Sequence, residues 1–326
     1  MKYPWQDQQW RQLWQSVQSG RLPHALLLTG MVGTGKHAFA LHTAQALLCA
    51  SAAITGDPCG SCHTCRLVVT NVHPNLYQVI PEKEGHAIKV DQIRALSEFV
   101  QQTSLKGQLR IAVIYPAHSM NINAANALLK TLEEPAPDAI LILVTDQPNH
   151  LPATVRSRCQ CILFSRPDQT IALQWLRQQL PDDAQLEQWL RLAHGAPLQA
   201  LRLTQEDVLP IRADVFQGLQ RIAEKQSDPQ AVVAKWQKLD PEQWMDLISG
   251  WVTDLIRLQL GGNSEHLLNQ DVADGLVIAS KHTVLNKNLQ LLERLLTSRR
   301  QLSAGVNFNK QLLMESMLIH WMEPQS

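Results

Sequence analysis

Short apolar runs alternate with helical periodicity in the first half of the chain. We predict five strands from these runs, at 25–29, 76–81, 110–115, 140–145 and 160–164. Short and mostly apolar runs are typical of strands that are buried on both faces of a parallel sheet. Helical periodicity fills the intervals between them, near 36–49, 91–102 and 123–134. The pattern therefore predicts an α/β domain in which helices cover a parallel sheet.

Strand signals stop after Arg166-Pro167, and amphipathic helices separated by proline or glycine make up the rest of the chain. Short helical patterns come first, near 169–179, 183–193 and 197–204. Longer ones follow, near 208–224, 229–239, 241–260, 284–302 and 310–322. Because this shift marks a domain boundary, we predict an α/β domain over 1–166, a small helical domain over 167–206 and a helical C-terminal domain over 207–326.

The charge balance excludes several classes of protein. The 326 residues include 29 Lys and Arg against 29 Asp and Glu, so any contact with nucleic acid must be local. A hydrophobic share of 45% excludes global disorder. The longest apolar runs fall far short of the roughly 20 residues that span a bilayer, and the N-terminus shows no secretory signal pattern. We therefore expect a cytoplasmic protein.

A candidate phosphate loop follows the first predicted strand and opens the first predicted helix. Gly30, Gly33 and Gly35 allow backbone N–H groups to surround phosphates, and Lys36 would contact the outer phosphates. The next residue of such a loop is normally Ser or Thr, whose hydroxyl binds Mg²⁺, but here it is His37. Because Mg²⁺ prefers oxygen ligands, we expect nucleotide binding to be weak or absent.

The end of the third predicted strand lacks the acidic pair of an active ATPase. An Asp on Mg²⁺ and a Glu that activates water are expected there, but the chain has Tyr115 and Pro116. Neither side chain can hold the metal or take a proton from water at neutral pH. Two separate losses thus predict that the chain does not hydrolyse ATP. An ordinary strand and turn that never bound nucleotide is the alternative.

Four cysteines cluster in the first half of the chain, at Cys49, Cys59, Cys62 and Cys65. This spacing lets four thiolates face one tetrahedral centre, which is typical of a structural zinc site. An iron-sulfur cluster, free thiols, and replacement of one cysteine by His63 are the alternatives. A closed site of four sulfurs leaves no place for water, so we expect the metal to fold the segment 50–70 and not to act in catalysis.

Two arginines, Arg156 and Arg158, precede the last predicted strand. In oligomeric ATPases an arginine finger from one subunit stabilises charge at the γ-phosphate in the site of its neighbour. A subunit need not hydrolyse ATP to supply this group. The spacing alone favours this role no more than it favours an ordinary surface arginine.

Taken together, the chain resembles the clamp-loader branch of the AAA+ family over nearly all of residues 1–165. The resemblance is carried by His73–Asn75 with Pro81-Glu82, by the run AANALLKTLEEP at 124–135, and by Ser157–Cys159. It implies a three-domain chain in which 167–206 is a lid and 207–326 is a collar that joins a pentamer. It also implies that Arg158 is the finger and Thr145 the polar sensor. The lid arginine of active relatives is missing, since the matching stretch ends at Leu198.

The resemblance implies a non-hydrolysing structural subunit of the sliding-clamp loader of the DNA polymerase III holoenzyme. Its implied partners are motor subunits of the tau/gamma type and a delta subunit in a hetero-pentamer, and indirectly the sliding clamp and primer-template DNA. Membership of the holoenzyme would class the chain with DNA-directed DNA polymerases, which are nucleotidyltransferases. We expect no activity from the isolated chain.

Two other functions compete with this interpretation. An ATP-hydrolysing motor subunit is disfavoured by His37, Tyr115, Pro116 and Leu198. A zinc-dependent nucleic-acid-binding module would need basic residues around the cysteines, where Arg66 stands alone.

Overall fold

The computed structural model describes residues 2–52, 56–83, 85–102, 109–206, 208–224, 226–236, 239–303 and 309–322. The chain divides into two compact units. The first comprises Met1–Asp182 with Gly195–Gln199, and the second comprises Asp183–His194 with Ala200–Ser326. The three-domain division stays a prediction. None of the helices in these ranges is both long and apolar enough to cross a membrane.

Five parallel strands form one sheet in the first unit, which confirms the predicted fold class. They are β1 (Ala25–Gly30), β2 (Leu76–Val79), β3 (Arg110–Ile114), β4 (Ala139–Thr145) and β5 (Gln160–Phe164). Their order across the sheet is β2-β3-β4-β1-β5, and every neighbouring pair is parallel. The carboxyl ends of all five strands therefore lie along one edge of the sheet, which we call the carboxyl edge.

The central strands are buried and β5 is not. All seven residues of β4 are buried, whereas most of β5 is exposed, including Leu163 at 63%. The expectation that all five strands are buried on both faces is therefore wrong for β5. The reason is its position, because β5 is the last strand in the order of the described sheet, where it pairs with β1.

Helices cover both faces of the sheet. The α-helices described in the first unit are α1 (Asp7–Gln18), α2 (Lys36–Leu48), α3 (His63–Val69), α4 (Val90–Gln101), α5 (Ile122–Glu133), α6 (Ala153–Arg156) and α7 (Gln169–Gln179). Side chains alternate along the strands, so Leu26 and Leu28 pack with α1 and α2, and Leu27 packs with α4 and α5. The unit is thus a three-layer α/β/α sandwich.

Helices make up most of the described part of the second unit, and they bury several of its tryptophans. They are α8 (Leu186–Leu192), α9 (Pro197–Gln205, which begins in the first unit), α10 (Val208–Ala223), α11 (Pro229–Trp236), α12 (Pro241–Gln259), α13 (Ala273–His282), α14 (Leu285–Ser303) and α15 (Lys310–Met322). Trp236, Trp244 and Trp251 are almost wholly buried in one hydrophobic core. Large apolar area of this kind supplies most of the stabilisation of a helical unit.

A buried polar network links α10, α12 and the segment before α13. The Arg212 guanidinium donates to Asp271 at 3.0 Å and to the side-chain oxygen of Asn269 at 2.8 Å. The Asp254 carboxylate is fully buried and accepts from the backbone and side-chain N–H groups of Asn269 at 2.9 and 2.8 Å. Burial lowers the pKa of Arg212, and the adjacent Asp271 opposes that shift. Each buried charge therefore has a partner, as its burial requires.

Candidate functional site

The predicted phosphate loop lies at the carboxyl edge, between β1 and α2. Gly33 and Gly35 have φ values of +76° and +81°, a region that favours glycine, and Gly35 directly precedes α2. The glycine spacing of the sequence thus produces a loop that turns from the strand into the helix N-terminus. This is the geometry that surrounds phosphate in nucleotide-binding proteins.

The ammonium group of Lys36 forms an ion pair and hydrogen bonds within its own chain. Its Nζ lies 2.5 Å from Oδ1 of Asp146 and donates to the carbonyl oxygens of Gly30 and Met31 at 3.0 and 2.6 Å. The side chain is only 3% exposed, and burial lowers its pKa while Asp146 opposes that shift. A carboxylate at this position neutralises the ammonium group and repels an incoming phosphate.

Asp146 was not among the residues predicted from the sequence. It directly follows β4, whose carboxyl end lies beside the end of β1 in the sheet. An acidic residue just after a central strand of a parallel sheet faces the same edge as the loop after β1. The position of Asp146 directly after a predicted strand is the sequence feature from which it could have been predicted.

The N-terminal segment covers the loop. Trp5 donates its indole N–H to the Thr34 carbonyl at 2.9 Å, and the fully buried Gln6 donates to the same oxygen at 2.8 Å. The Tyr3 ring packs so closely on Gly35 that a Cβ there would meet it at 2.5 Å. These aromatic and amide groups hold the loop in place through its carbonyl groups. No sequence pattern indicated this cover.

The stretch Gly195–Gln199 also packs on the loop. The backbone N–H of Leu198 donates to the Gly33 carbonyl at 3.2 Å, and a Cβ on Gly33 would meet Gln199 at 2.7 Å. Leu198 is the residue at the position where the resemblance expects an arginine. An apolar side chain at this position brings no positive charge to the loop.

The two residues that replace the magnesium-binding groups are in contact with each other. The rings of His37 and Tyr115 stack with centroids 4.3 Å apart and an angle of 7° between their planes. Burial lowers the pKa of His37, so the imidazole is neutral at pH 7. The stack therefore provides no carboxylate or charged group for a magnesium ion.

Thr145 is buried at the end of β4 and has two partners of its own. Its Oγ1 lies 3.0 Å from Nδ1 of His118 and accepts from the backbone N–H of Gln147 at 3.0 Å. These contacts fix the turn after the strand. Its role as a polar sensor stays a prediction.

The four predicted cysteine ligands converge at one point. Their Sγ atoms all lie within 4.8 Å of one another, with Cys49 3.7 Å from Cys59 and 4.0 Å from Cys62. A tetrahedral ion with metal–sulfur bonds of about 2.3 Å separates its sulfurs by about 3.8 Å. The arrangement therefore fits one metal ion. Within the described ranges the convergent group consists of the four cysteines and does not include His63.

Backbone groups support the cysteine cluster. The N–H groups of Cys62 and Cys65 donate to the sulfurs of Cys59 and Cys62, each at 3.4 Å. Hydrogen bonds from the backbones of Cys62 and Ser61 lower the pKa of Cys59 to about 6, whereas burial raises the pKa of Cys65 to about 12. Donors aimed at sulfur stabilise a thiolate, the form that binds a metal.

Arg158 lies at the other end of the sheet from the phosphate loop. It precedes β5, and β5 pairs in parallel with β1 so that Phe164 is level with Gly30. Arg158 lies in the turn before the strand, and the four extended steps from Gln160 to Phe164 alone cover about 13 Å. The Arg158 guanidinium therefore cannot serve the phosphate loop of its own chain.

Both predicted arginines make contacts within their own chain. Arg158 lies 2.6 Å from a Glu133 oxygen and donates to the Thr154 carbonyl at 2.9 Å, with its side chain 37% exposed. Arg156 makes a long 3.5 Å contact with the side-chain oxygen of Asn149. Glu133 belongs to the run AANALLKTLEEP, but its contact with Arg158 was not predicted from the sequence.

Comparison with known proteins identifies the family. A family model described as DNA polymerase III, delta subunit, matches residues 5–168, and one described as DNA polymerase III, delta subunit, C terminal, matches residues 206–323. A solved gamma subunit-related protein from Thermotoga maritima is similar with a TM-score of 0.44 at 16% identity, over 96% of this chain and 100% of that one.

Relatives with assigned names match over most of the chain. Subunit delta' of DNA polymerase III from Pseudomonas aeruginosa is 36% identical, over 98% of this chain and 97% of that protein. The delta' subunit from Escherichia coli is 29% identical over 99% and 96%, and the tau subunit from the same organism is 30% identical over 72% and 35%. These matches show that the chain belongs to the family of DNA polymerase III delta' subunits.

Proposed function

We propose that the chain is a non-hydrolysing structural subunit of the clamp loader that donates Arg158 to the ATP site of a neighbouring subunit. The observation that carries this proposal is the contrast between the two ends of its sheet. At one end Lys36 is neutralised by Asp146, and at the other end Arg158 is exposed beyond the reach of its own loop. The chain would thus supply a catalytic charge to another site without turnover at its own.

The partners in this proposal are motor subunits of the tau/gamma type and a delta subunit, in a hetero-pentamer in the bacterial cytoplasm. Residues 167–206 would act as the lid and residues 207–326 as the collar that joins the ring. The sliding clamp and primer-template DNA would be reached through the assembled complex. DNA polymerase activity would belong to the holoenzyme and not to this chain.

The phosphate loop would serve as a scaffold in this subunit. Its carbonyl groups are occupied by Trp5, Gln6 and Lys36, and the neutral stack of His37 on Tyr115 brings no oxyanion for a metal. A nucleotide would have to displace Asp146 from Lys36 and bring its own magnesium ligands. We therefore expect weak nucleotide binding or none.

The isolated chain is expected to show no ATP hydrolysis above background. Lys36→Ala should leave that background unchanged, because Lys36 is already paired with Asp146. A steady-state phosphate-release assay on both proteins tests this. Hydrolysis that disappears on the Lys36→Ala substitution would show that the chain is a motor subunit, the competing function.

We propose that the metal held by the four cysteines is zinc. Thiolates in a closed tetrahedral set suit Zn²⁺, which needs no open position when its role is structural. Cys49 directly follows α2, and Cys62 caps α3 by accepting from the Cys65 N–H. The ion would tie these two helices together and fold the segment between them.

Freshly purified protein should contain one zinc ion per chain, and the Cys59→Ala variant should contain almost none. Cys59 is exposed, so its truncation removes a ligand without opening a cavity. Because protons compete with the metal for thiolates, zinc should be released as the pH falls. Cys161→Ser, at an exposed cysteine outside the cluster, is the matched control and should keep its zinc. Elemental analysis giving iron, or no metal, would refute the assignment.

A further inference from the structure

The Arg158 guanidinium is held at two points by its own chain. One terminal nitrogen lies 2.6 Å from Oε1 of Glu133, and the other donates to the Thr154 carbonyl at 2.9 Å. A guanidinium has five N–H groups in one plane, and two acceptors on different nitrogens fix the orientation of that plane. The other N–H groups of the guanidinium point in further directions and can donate to a second set of oxygens, such as those of a phosphoryl group.

Both acceptors belong to elements that are anchored in the core. Glu133 is the last residue of α5, and its neighbour Leu132 is buried among the residues that cover the sheet. Thr154 belongs to α6, in which Val155 is fully buried. The acceptors are therefore fixed relative to the sheet, although Glu133 and Arg158 are themselves partly exposed.

The position of Glu133 also favours an arginine electrostatically. The C-terminal end of a helix carries partial negative charge from its last carbonyl groups, and Glu133 adds a full charge there. An arginine without these partners would be a long, flexible side chain that must be ordered at each catalytic cycle. A group that stabilises a transition state acts best when it is already ordered.

We infer that Glu133 is a positioning residue for Arg158, one that sets the direction of the guanidinium toward the γ-phosphate in a neighbouring subunit. The inference rests on the proposed finger role of Arg158. It assigns to the first glutamate of the Glu-Glu-Pro sequence at 133–135 a function in catalysis by the assembled complex. Glu133 acts only through the arginine and touches no substrate.

The test uses the complete clamp loader assembled with variants of this chain. Glu133→Ala should lower the kcat of the ATPase stimulated by clamp and DNA by about tenfold, with the KM for ATP unchanged. Glu133→Gln keeps an acceptor oxygen without the charge, so its kcat should lie between that of Glu133→Ala and that of the wild type. The matched control is Glu134→Ala, at the adjacent exposed carboxylate, which should behave as wild type.

A double-mutant cycle distinguishes a role of Glu133 in positioning Arg158 from a role in stabilising the fold. If Glu133 acts through Arg158, Glu133→Ala should have no further effect on kcat in an Arg158→Ala loader. Melting temperatures of the isolated variants, compared with that of Glu134→Ala, should be alike. A further loss of kcat in the Arg158→Ala background would overturn the positioning role.

The remaining outcomes are equally decisive. A normal kcat for Glu133→Ala beside a reduced one for Arg158→Ala would refute the inference and leave the finger in place. A higher kcat for Glu133→Ala would show that the carboxylate restrains the arginine. A normal kcat for Arg158→Ala would refute the finger, and the positioning role with it.

Discussion

Replacement of Arg158 by alanine is expected to leave the chain folded and able to join the complex, while the stimulated ATPase of that complex falls sharply. A finger in trans is worth about 10³-fold or more in rate at the site it serves, because it stabilises charge that develops on the transferred phosphoryl group. The side chain is partly exposed, so its loss opens no cavity. Assembly, melting temperature and stimulated ATPase measured on the same variant test this expectation.

Two further substitutions sharpen this experiment. Arg158→Lys keeps the charge but not the planar fork, so it should restore only part of the rate. Arg156→Ala removes an arginine whose contact with Asn149 is long, at 3.5 Å, and should leave the rate nearly unchanged. An unchanged ATPase in a fully assembled Arg158→Ala loader would rule out the trans-acting role.

Asp254→Ala is expected to destabilise the second unit by about 3–5 kcal/mol, since it leaves the polar network without its central acceptor. The backbone N–H of Leu268 and both N–H groups of Asn269 would lose their partner, and Arg257 would lose its 3.1 Å contact. Unpaired donors in this buried position carry the full penalty of desolvation. Urea unfolding followed by tryptophan fluorescence, with Trp251 in the same core, reports the change.

Asp274→Ala is the matched control for this substitution. Asp274 is exposed in the first turn of α13, so its loss should change the free energy of unfolding by only a few tenths of a kcal/mol. If Asp254→Ala lowers the free energy of unfolding by less than about 1 kcal/mol, water replaces the carboxylate in the network.

The sheet could be predicted from the sequence because its strands are short apolar runs with clear boundaries. Each of the five strands begins and ends within two residues of its predicted range. The helix α1 was missed although Trp10, Leu13 and Trp14 follow the i, i+3, i+4 spacing of a helix face. The exposure of β5 could not be predicted, because it depends on strand order and not on the composition of the strand.

The candidate site was predictable only where it is local in sequence. The glycine loop and the cysteine spacing are short motifs, and both lie where the sequence placed them. The contacts of Lys36 with Asp146 and of Arg158 with Glu133 join residues far apart in the chain. Such pairs depend on how the strands are ordered, which periodicity does not specify.

The parallel sheet gives this subunit a polarity. Subunits that stack head to tail in a ring each present an unlike face to either neighbour. In the proposed role this chain gives an arginine from one face, and it has no working site to receive one at the other. It would therefore stand at one end of the series of ATP sites. It would donate an arginine to the site of one neighbour and would receive none from the other.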